Sequence, residues 1–467
     1  MTFLYQIFPD RFAIGGGLSL EEKRARVDVS RFEVAPSWDA RPRPVGNELF
    51  LGDLDGITGR MDHVRALGAS ALYLTPIFDA PSSHRYDARS YRDVDARLGG
   101  DAAFERLARA CKGSGLGLVL DAVFNHTGEE HPWVRGRPDF YARDAAGKNV
   151  PWRGYGHLPE LRLEEGELRY ELFTGPESVV RAWLRKGATG WRIDCANDCG
   201  LDACAQVTKV AREEGARDGV VGEVMSWAVP FLASGALDGV MNYWFREGVI
   251  ALLQGEVPVE QASAALALMA TGYPLPGLLR SWNMLGSHDT PRIKTTVGER
   301  TRAAFLLAFT FPGIPHVYYG DEIGMEGDGD PDCRRAMPWD RSRWDMKTLA
   351  WVKRLAEVRG ELRALREGRY VPIDAPGGLA FARATDDPRE TVVVVLNPTA
   401  EKRSYRLFAP RCELFDSLPL VDRLGGSGSK MRAGTFALAL EAGEGAILVP
   451  EPREASGYDY YKRMRGV

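Results

Sequence analysis

Four acidic residues fall within or just past short apolar runs: Asp121, Asp194, Glu223 and Asp289. Arg192 stands two positions before Asp194, and period-two alternation in a strand puts both on one face. A guanidinium beside a carboxylate favours the ionised form, so Asp194 is expected to stay ionised, as a nucleophile must. Gly222 leaves room around the Glu223 carboxyl, and an ionised Asp194 facing it would raise its proton affinity. A carboxylate paired with a carboxylic acid is what glycosidic bond cleavage requires. The plainer reading makes each acid a helix N-cap or a surface charge. It serves for any one of them and poorly for the set, because gathered acids repel and lose solvation.

Of seven histidines, His84, His126, His157 and His288 lie in the same segments. Gathered together, they read as donors to a polyhydroxylated ligand, or less well as metal ligands, since no H-E-x-x-H pair occurs. Tyr86, Trp133, Trp152, Trp227 and Trp244 offer flat faces for sugar rings, although each taken singly is more often core. The six cysteines are too sparse for a disulfide framework. Cys195, Cys199 and Cys204 lack a C-x-x-C pair and read as small packed residues rather than a zinc site.

These residues need elements to position them. Eight runs rich in β-branched and aromatic residues recur: Phe3–Phe8, Ala71–Phe78, Leu116–Phe124, Gly190–Ala196, Gly219–Val224, Gly239–Phe245, Ser281–His288 and Ile314–Gly320. Helical spacing separates most of them, at Ile57–Leu67, Ala102–Cys111, Val179–Leu184, Ala203–Ala211, Ala262–Met269 and Thr301–Phe309. Eight such units predict an α/β fold, a closed (β/α)8 TIM barrel, whose strand ends point side chains into one pocket. Two connections are too long for plain units: Phe12 to Asp53 after the first strand, and a small subdomain inserted after strand 3. Met346–Gly368 reads as one last helix, followed by short strands of a C-terminal antiparallel β-sandwich. The expected division is a barrel over residues 1–124 and 175–368, an insert over 125–174, a sandwich over 369–453 and a tail over 454–467.

The chain has 467 residues, 45% hydrophobic and 27% charged, with 60 basic against 64 acidic residues. That composition is globular, and the net charge of -4 gives no drive towards nucleic acid. The longest apolar stretch, Phe305–Tyr319, is broken by Pro312 and Pro315, so no membrane span is expected. The opening segment lacks a secretory signal, and a cytoplasmic location is expected.

At these residues the sequence resembles the α-amylase family, glycoside hydrolase family 13. The segments that carry the resemblance are Asp121-Ala-Val-Phe-Asn125-His126, Gly190-Trp-Arg192-Ile-Asp194, Gly222-Glu223-Val and Ser287-His288-Asp289, joined by YQIFPDRF at the start and YYGDEIG at Tyr318–Gly324. The resemblance implies Asp194 as nucleophile, Glu223 as general acid/base and Asp289 as transition-state stabiliser. It gives Arg192, His126 and His288 to the sugar at the cleavage subsite, stacks Tyr86 against that sugar, and gives Asp121 a supporting place. The reaction implied is a double displacement with retention.

Within the family, LPEL at Leu158–Leu161, LDGVMNYWF at Leu237–Phe245 and DPDCRRAMPW at Asp330–Trp339 are similar to the cyclomaltodextrinase, neopullulanase and maltogenic amylase group. The last block implies that Asp330 and Arg334 contact the next sugar, and Asp198 stands on the acceptor side. The group implies an α-glucan oligosaccharide substrate, small or cyclic, with α-1,4 and α-1,6 bonds, and maltose as product. Relatives that hydrolyse cyclic maltosyl-maltose are one match. A glucanotransferase or trehalose-forming isomerase shares the covalent intermediate, and a non-catalytic carbohydrate-binding member shares the fold. No cofactor is required. Asn125 is where many α-amylases bind a structural calcium, but the first loop lacks their Asn/Asp cluster. The chain starts at strand one, without the group's N-terminal module, which leaves homodimerisation open and suggests that the Gly15–Gly52 loop lids the pocket. Met225 and Ser226 replace the group's Trp-His, so the leaving-group side is expected to differ.

Overall fold

The apolar runs form eight parallel strands in a computed structural model that describes residues 1–44 and 46–451. They are β1 (Leu4–Ile7), β2 (Ala71–Leu74), β3 (Gly117–Ala122), β4 (Gly190–Ile193), β5 (Gly219–Gly222), β6 (Gly239–Val240), β7 (Trp282–Met284) and β8 (Ile314–Tyr318). The sheet order is β6-β5-β4-β3-β2-β1-β8-β7. A parallel bridge between Met241 and Trp282 joins its two ends, with Asn242 N donating to Trp282 O at 2.9 Å. The result is a (β/α)8 barrel.

Period-two alternation sorts the strand residues between two cores. Leu4, Tyr73, Val119, Val221, Met284 and Ile314 pack inside the barrel. Tyr5, Ile7, Leu72, Leu74, Leu118 and Leu120 pack outward against the helices. Among the described residues no helix is long and apolar enough to cross a membrane.

Some elements differ from the sequence expectation. Ile57–Leu67 is split into Leu54–Gly59 and Met61–Leu67 at Arg60, which caps both. The last helix ends at Glu361, because Leu362 is extended, and a short helix follows at Arg363–Glu367. The sixth run is mostly not strand: Gly239–Val240 is strand, Met241 adds the single bridge to Trp282, and the Asn242 side chain caps a helix over Tyr243–Gln254. Val240 and the aromatics Tyr243, Trp244 and Phe245 marked the run, but Asn at the cap position decides where the helix begins.

After the barrel come β9 (Arg369–Ile373), β10 (Leu379–Ala384), β11 (Val392–Leu396), β12 (Arg403–Phe408), β13 (Pro419–Asp422), β14 (Ser429–Lys430), β15 (Thr435–Leu440) and β16 (Gly445–Pro450). Six of them form the antiparallel sheet β14-β13-β16-β11-β10-β9, and β12 pairs with β15. Tyr405, Leu407, Phe436 and Leu438 of the pair pack on Val371, Ala382, Val393 and Leu448 of the sheet. The tail expected over 454–467 lies outside the described residues.

The described residues of both long connections are held by hydrogen bonds and ion pairs. In the first, Ser19 and Glu22 make a capping box for a helix at Leu20–Arg24, and Lys23 pairs with Asp53. The Asp10 carboxylate accepts from Phe50 N and Leu51 N, and Arg11 donates to Glu48 O. The connection also reaches other strand ends: Ser83 N donates to Asn47 Oδ1, Trp38 Nε1 to Met337 O, and Arg31 pairs with Glu130. The insert after β3 is laced by bridges His126–Glu160, Tyr141–Leu161 and Pro151–Pro159.

Candidate active site

The sequence places one acid at each of several neighbouring strand ends, and the barrel turns them inward. Asp121 is in β3, Asp194 follows β4 and Glu223 follows β5. Arg192, fully buried in β4, joins all three. Its Nη1 lies 2.8 Å from Asp121 Oδ1 and 2.6 Å from Asp194 Oδ1, and its Nη2 lies 2.9 Å from Glu223 Oε2. The shared strand face expected for Arg192 and Asp194 is therefore present. An oxygen of Asp194, an oxygen of Glu223 and Cys195 Sγ all lie within 4.8 Å of one another.

Three carboxylates face one guanidinium, and burial works against the expected effect of Arg192. Arg192 pulls the Asp194 proton affinity down, but burial outweighs it, and the charges of Glu223 and Asp121 add to burial, so the carboxyl is pushed up to about 8. Burial likewise raises Asp121. The role expected of Gly222 also changes. A Cβ there would come 2.4 Å from Leu237 Cδ1 and 2.9 Å from Ala196 Cβ, so the glycine admits close packing behind the strand rather than room at the carboxyl.

Around this centre the mouth is lined by uncharged donors. Tyr86 OH donates to Asp121 Oδ2 at 2.9 Å and lies 2.5 Å from His288 Nε2, with the two rings parallel at 3°. Gln6 Nε2 holds His288 Nδ1 at 2.9 Å. Burial lowers His288 well below the usual imidazole range and takes His84 and His126 to about 4, so all three are neutral near pH 7. The buried His126 Nε2 is without a hydrogen-bond partner. Asp289 is the exposed member of the set: Arg334 Nη2 holds it at 3.1 Å, and His288 Nε2 lies 3.1 Å from it. Arg334 also pairs with Asp330 at 3.0 Å.

Two residues are placed differently from the rest. The Asp198 carboxylate is engaged by the insert, accepting from Trp152 Nε1 at 2.9 Å with Arg153 at 3.5 Å, while the Trp152 ring stacks on His126 at 4.7 Å. Asn125 is buried with its amide nitrogen 3.4 Å from His126 Nδ1. Among the described residues, the group of His, Cys, Asp and Glu donors able to hold a metal is Asp194, Cys195 and Glu223. No such group of acids gathers at Asn125, where a calcium ion would need a cage of oxygens.

Sequence reasoning passed over Tyr73, Tyr243 and Cys195. Tyr73 OH donates to Asp121 Oδ2 at 2.6 Å, and Tyr243 OH donates to Glu223 Oε1 at 3.2 Å. Both sit in apolar runs, where a tyrosine reads as core; the polar tip aimed at a strand end was the available signal. Cys195 adopts a left-handed conformation, φ 47° and ψ 44°, which costs a non-glycine residue about 1–2 kcal/mol.

A family profile for the alpha amylase catalytic domain matches residues 6–155 and 151–356. Neopullulanase 2 of Thermoactinomyces vulgaris is 33% identical over 95% of this chain and 77% of its own length. A cyclomaltodextrinase of Geobacillus thermopakistaniensis is 32% identical over 86% of this chain and 69% of its own. Among solved structures, the ligand-free cyclic alpha-maltosyl-(1→6)-maltose hydrolase of Arthrobacter globiformis superposes with a TM-score of 0.80 at 29% identity, covering 96% of this chain and 98% of that one.

Proposed function

The chain belongs to the alpha-amylase family of glycoside hydrolases, and from that premise we propose that it is a retaining hydrolase of small or cyclic maltooligosaccharides. It cleaves α-1,4 and α-1,6 bonds and releases maltose. The observation that carries this reading is the approach of the Asp194 and Glu223 carboxylate oxygens to within 4.8 Å. Retaining enzymes separate the two carboxyls by about 5–5.5 Å, which leaves no room for a water between acid and base.

In the first step Glu223 gives its proton to the glycosidic oxygen while Asp194 attacks the anomeric carbon. The leaving sugar departs as an alcohol and a β-glucosyl ester forms on Asp194. In the second step Glu223, now a carboxylate, takes a proton from water, the water oxygen attacks the anomeric carbon, and Asp194 is released with the α configuration restored. Burial and the facing carboxylates raise the proton affinity of Asp194. The productive state has Asp194 ionised and the proton on Glu223. Neutral His126 and His288 donate to sugar hydroxyls, and Asp289 interacts with charge developing on the ring. The relatives named for cyclodextrins, pullulan and cyclic maltosyl-maltose support the substrate class. Free cysteines throughout the described residues support a cytoplasmic setting.

The test is product analysis over time on soluble starch, pullulan, maltotetraose, cyclodextrins and the mixed-linkage cyclic tetrasaccharide. Cyclic and short substrates are expected to be cleaved faster than starch, ending in maltose. Glu223→Gln and Asp194→Asn are expected to abolish turnover while leaving binding intact. Rapid starch cleavage, or a ladder of longer products from maltotetraose, would replace the substrate class or turn the assignment to transfer. Retained activity in Asp194→Asn would overturn the mechanism.

A further inference from the structure

Cys195 touches both carboxylates of the site at once, through different groups. Its backbone N–H donates to Glu223 Oε2 at 3.0 Å, and its thiol lies 3.2 Å from Asp194 Oδ2. The left-handed backbone at this residue is what allows the double contact. It turns the N–H towards the end of β5 while the side chain stays beside the end of β4. A non-glycine residue keeps that conformation only where the surroundings hold it there, and here Asp198 N and Cys199 N donate to Cys195 O while its own N–H and thiol meet the two acids.

Arg192 already occupies Asp194 Oδ1 at 2.6 Å, so the thiol meets the other oxygen. Burial and the neighbouring carboxylates keep the thiol protonated, and it donates. We propose that Cys195 is a positioning residue: its S–H orients the free oxygen of Asp194 and favours the carboxylate form, while its N–H fixes Glu223 at the matching distance. This rests on the roles proposed above for Asp194 and Glu223 and goes beyond them. It gives the side chain that follows Asp194 a part in orienting the two acids.

The charged and titratable groups facing Asp194 are Arg192, Asp121, Glu223, Tyr73, Tyr91 and Cys199. A change in the pH profile can therefore be assigned to the thiol only if a variant alters that donor alone. Cys195→Ala removes the donor and keeps the backbone. Cys195→Ser keeps a hydroxyl donor at the same place. Cys195→Gly removes the donor and also relieves the left-handed backbone, so it controls for folding.

The measurement is kcat/KM for a short maltooligosaccharide against pH, together with the thermal midpoint. In Cys195→Ala a loss of three- to tenfold in kcat/KM is expected, with the acid limb moved to higher pH, because the Asp194 anion has lost a donor. Cys195→Ser is expected to return the limb to its original position. Cys195→Gly is expected to show the same shifted limb as alanine with a higher midpoint than alanine. A profile in Cys195→Ala that overlays the parent would overturn the proposal, and so would serine and alanine behaving alike. Either result, with Asp194→Asn still inactive, would leave the assignment of the two acids standing. Activity in Asp194→Asn would instead remove the reading beneath it.

Discussion

At the scale of single residues the site is costly to the fold. Asp194 binds its proton up to about 8 in the folded chain, against about 3.9 in an unfolded one. A folded-state value raised in this way favours folding fully below the unfolded value, and that contribution is lost as pH rises through 8. Asparagine mimics the protonated acid without titrating. Asp194→Asn is therefore expected to be inactive but more stable than the parent at pH 9, by about 1–2 kcal/mol, with the difference vanishing near pH 4. Thermal midpoints across that range check it, and an equal midpoint at pH 9 would mean that Arg192 compensates the acids fully. Tyr243 makes a simpler case. Its hydroxyl meets Glu223 Oε1 at 3.2 Å, and a hydrogen bond to a charged group contributes about 1.5–3 kcal/mol. Tyr243→Phe should lower kcat about tenfold or more with the fold intact, as steady-state kinetics beside a melting curve would read.

At the scale of elements, the insert is pinned to the barrel where it matters. Trp152 stacks on His126 after β3 and donates to Asp198 at the start of the helix Ala196–Glu213 after β4, so one side chain spans two neighbouring strand ends. Phenylalanine at 152 would keep the stacking and lose the donor. Trp152→Phe is expected to raise KM for maltotetraose several-fold while kcat and the thermal midpoint hold. A fall in kcat alone would mean that the ring acts on the chemistry and not on holding the insert. The sequence showed the eight strands because β-branched runs, repeated with helical spacing between them, have few other uses. It showed Asp121, Asp194, Glu223 and Asp289 because acids at such run ends have few structural uses. What it hid is contact made across the fold. Trp152 to Asp198, Tyr73 to Asp121 and Asn47 to Ser83 join segments whose local patterns carry no sign of one another. The break at Leu362 and the short β6 were hidden for a different reason: apolar content persists through both, and only capping and pairing end the element.

At the scale of the whole molecule, two features can be tested apart from catalysis. Among the described residues no group of three His, Cys, Asp or Glu side chains gathers at Asn125, and treatment with a chelator is expected to leave both activity and melting unchanged; a drop in either on removing calcium, restored on its return, would place a cation in the insert. The second feature is the seam between the barrel and the C-terminal sheet. The helix Thr301–Thr310 ends inside the protein, and its last carbonyls need donors there. Arg359 of the helix Met346–Glu361 donates to Phe309 O and Leu365 O at 2.8 Å. Arg383 of β10 donates to Thr310 O at 2.7 Å and to Gly368 O at 2.8 Å. Both guanidiniums are buried, and burial takes Arg359 down to about 9. The negative end of a helix dipole and a set of carbonyls stand in for a counterion. Removing such a donor orphans buried acceptors on both sides of the seam, at about 1–3 kcal/mol for each group left unpaired. Arg383→Met is therefore expected to lower the thermal midpoint by several degrees while kcat at 25 °C is unchanged. Arg383→Lys should not rescue it, because one ammonium cannot span Thr310 O and Gly368 O as a planar fork does. Calorimetry with kinetics on the same samples separates the outcomes: a parallel loss of activity would mean that the sheet also braces the strand ends that carry the acids, since β8 begins four residues after Thr310.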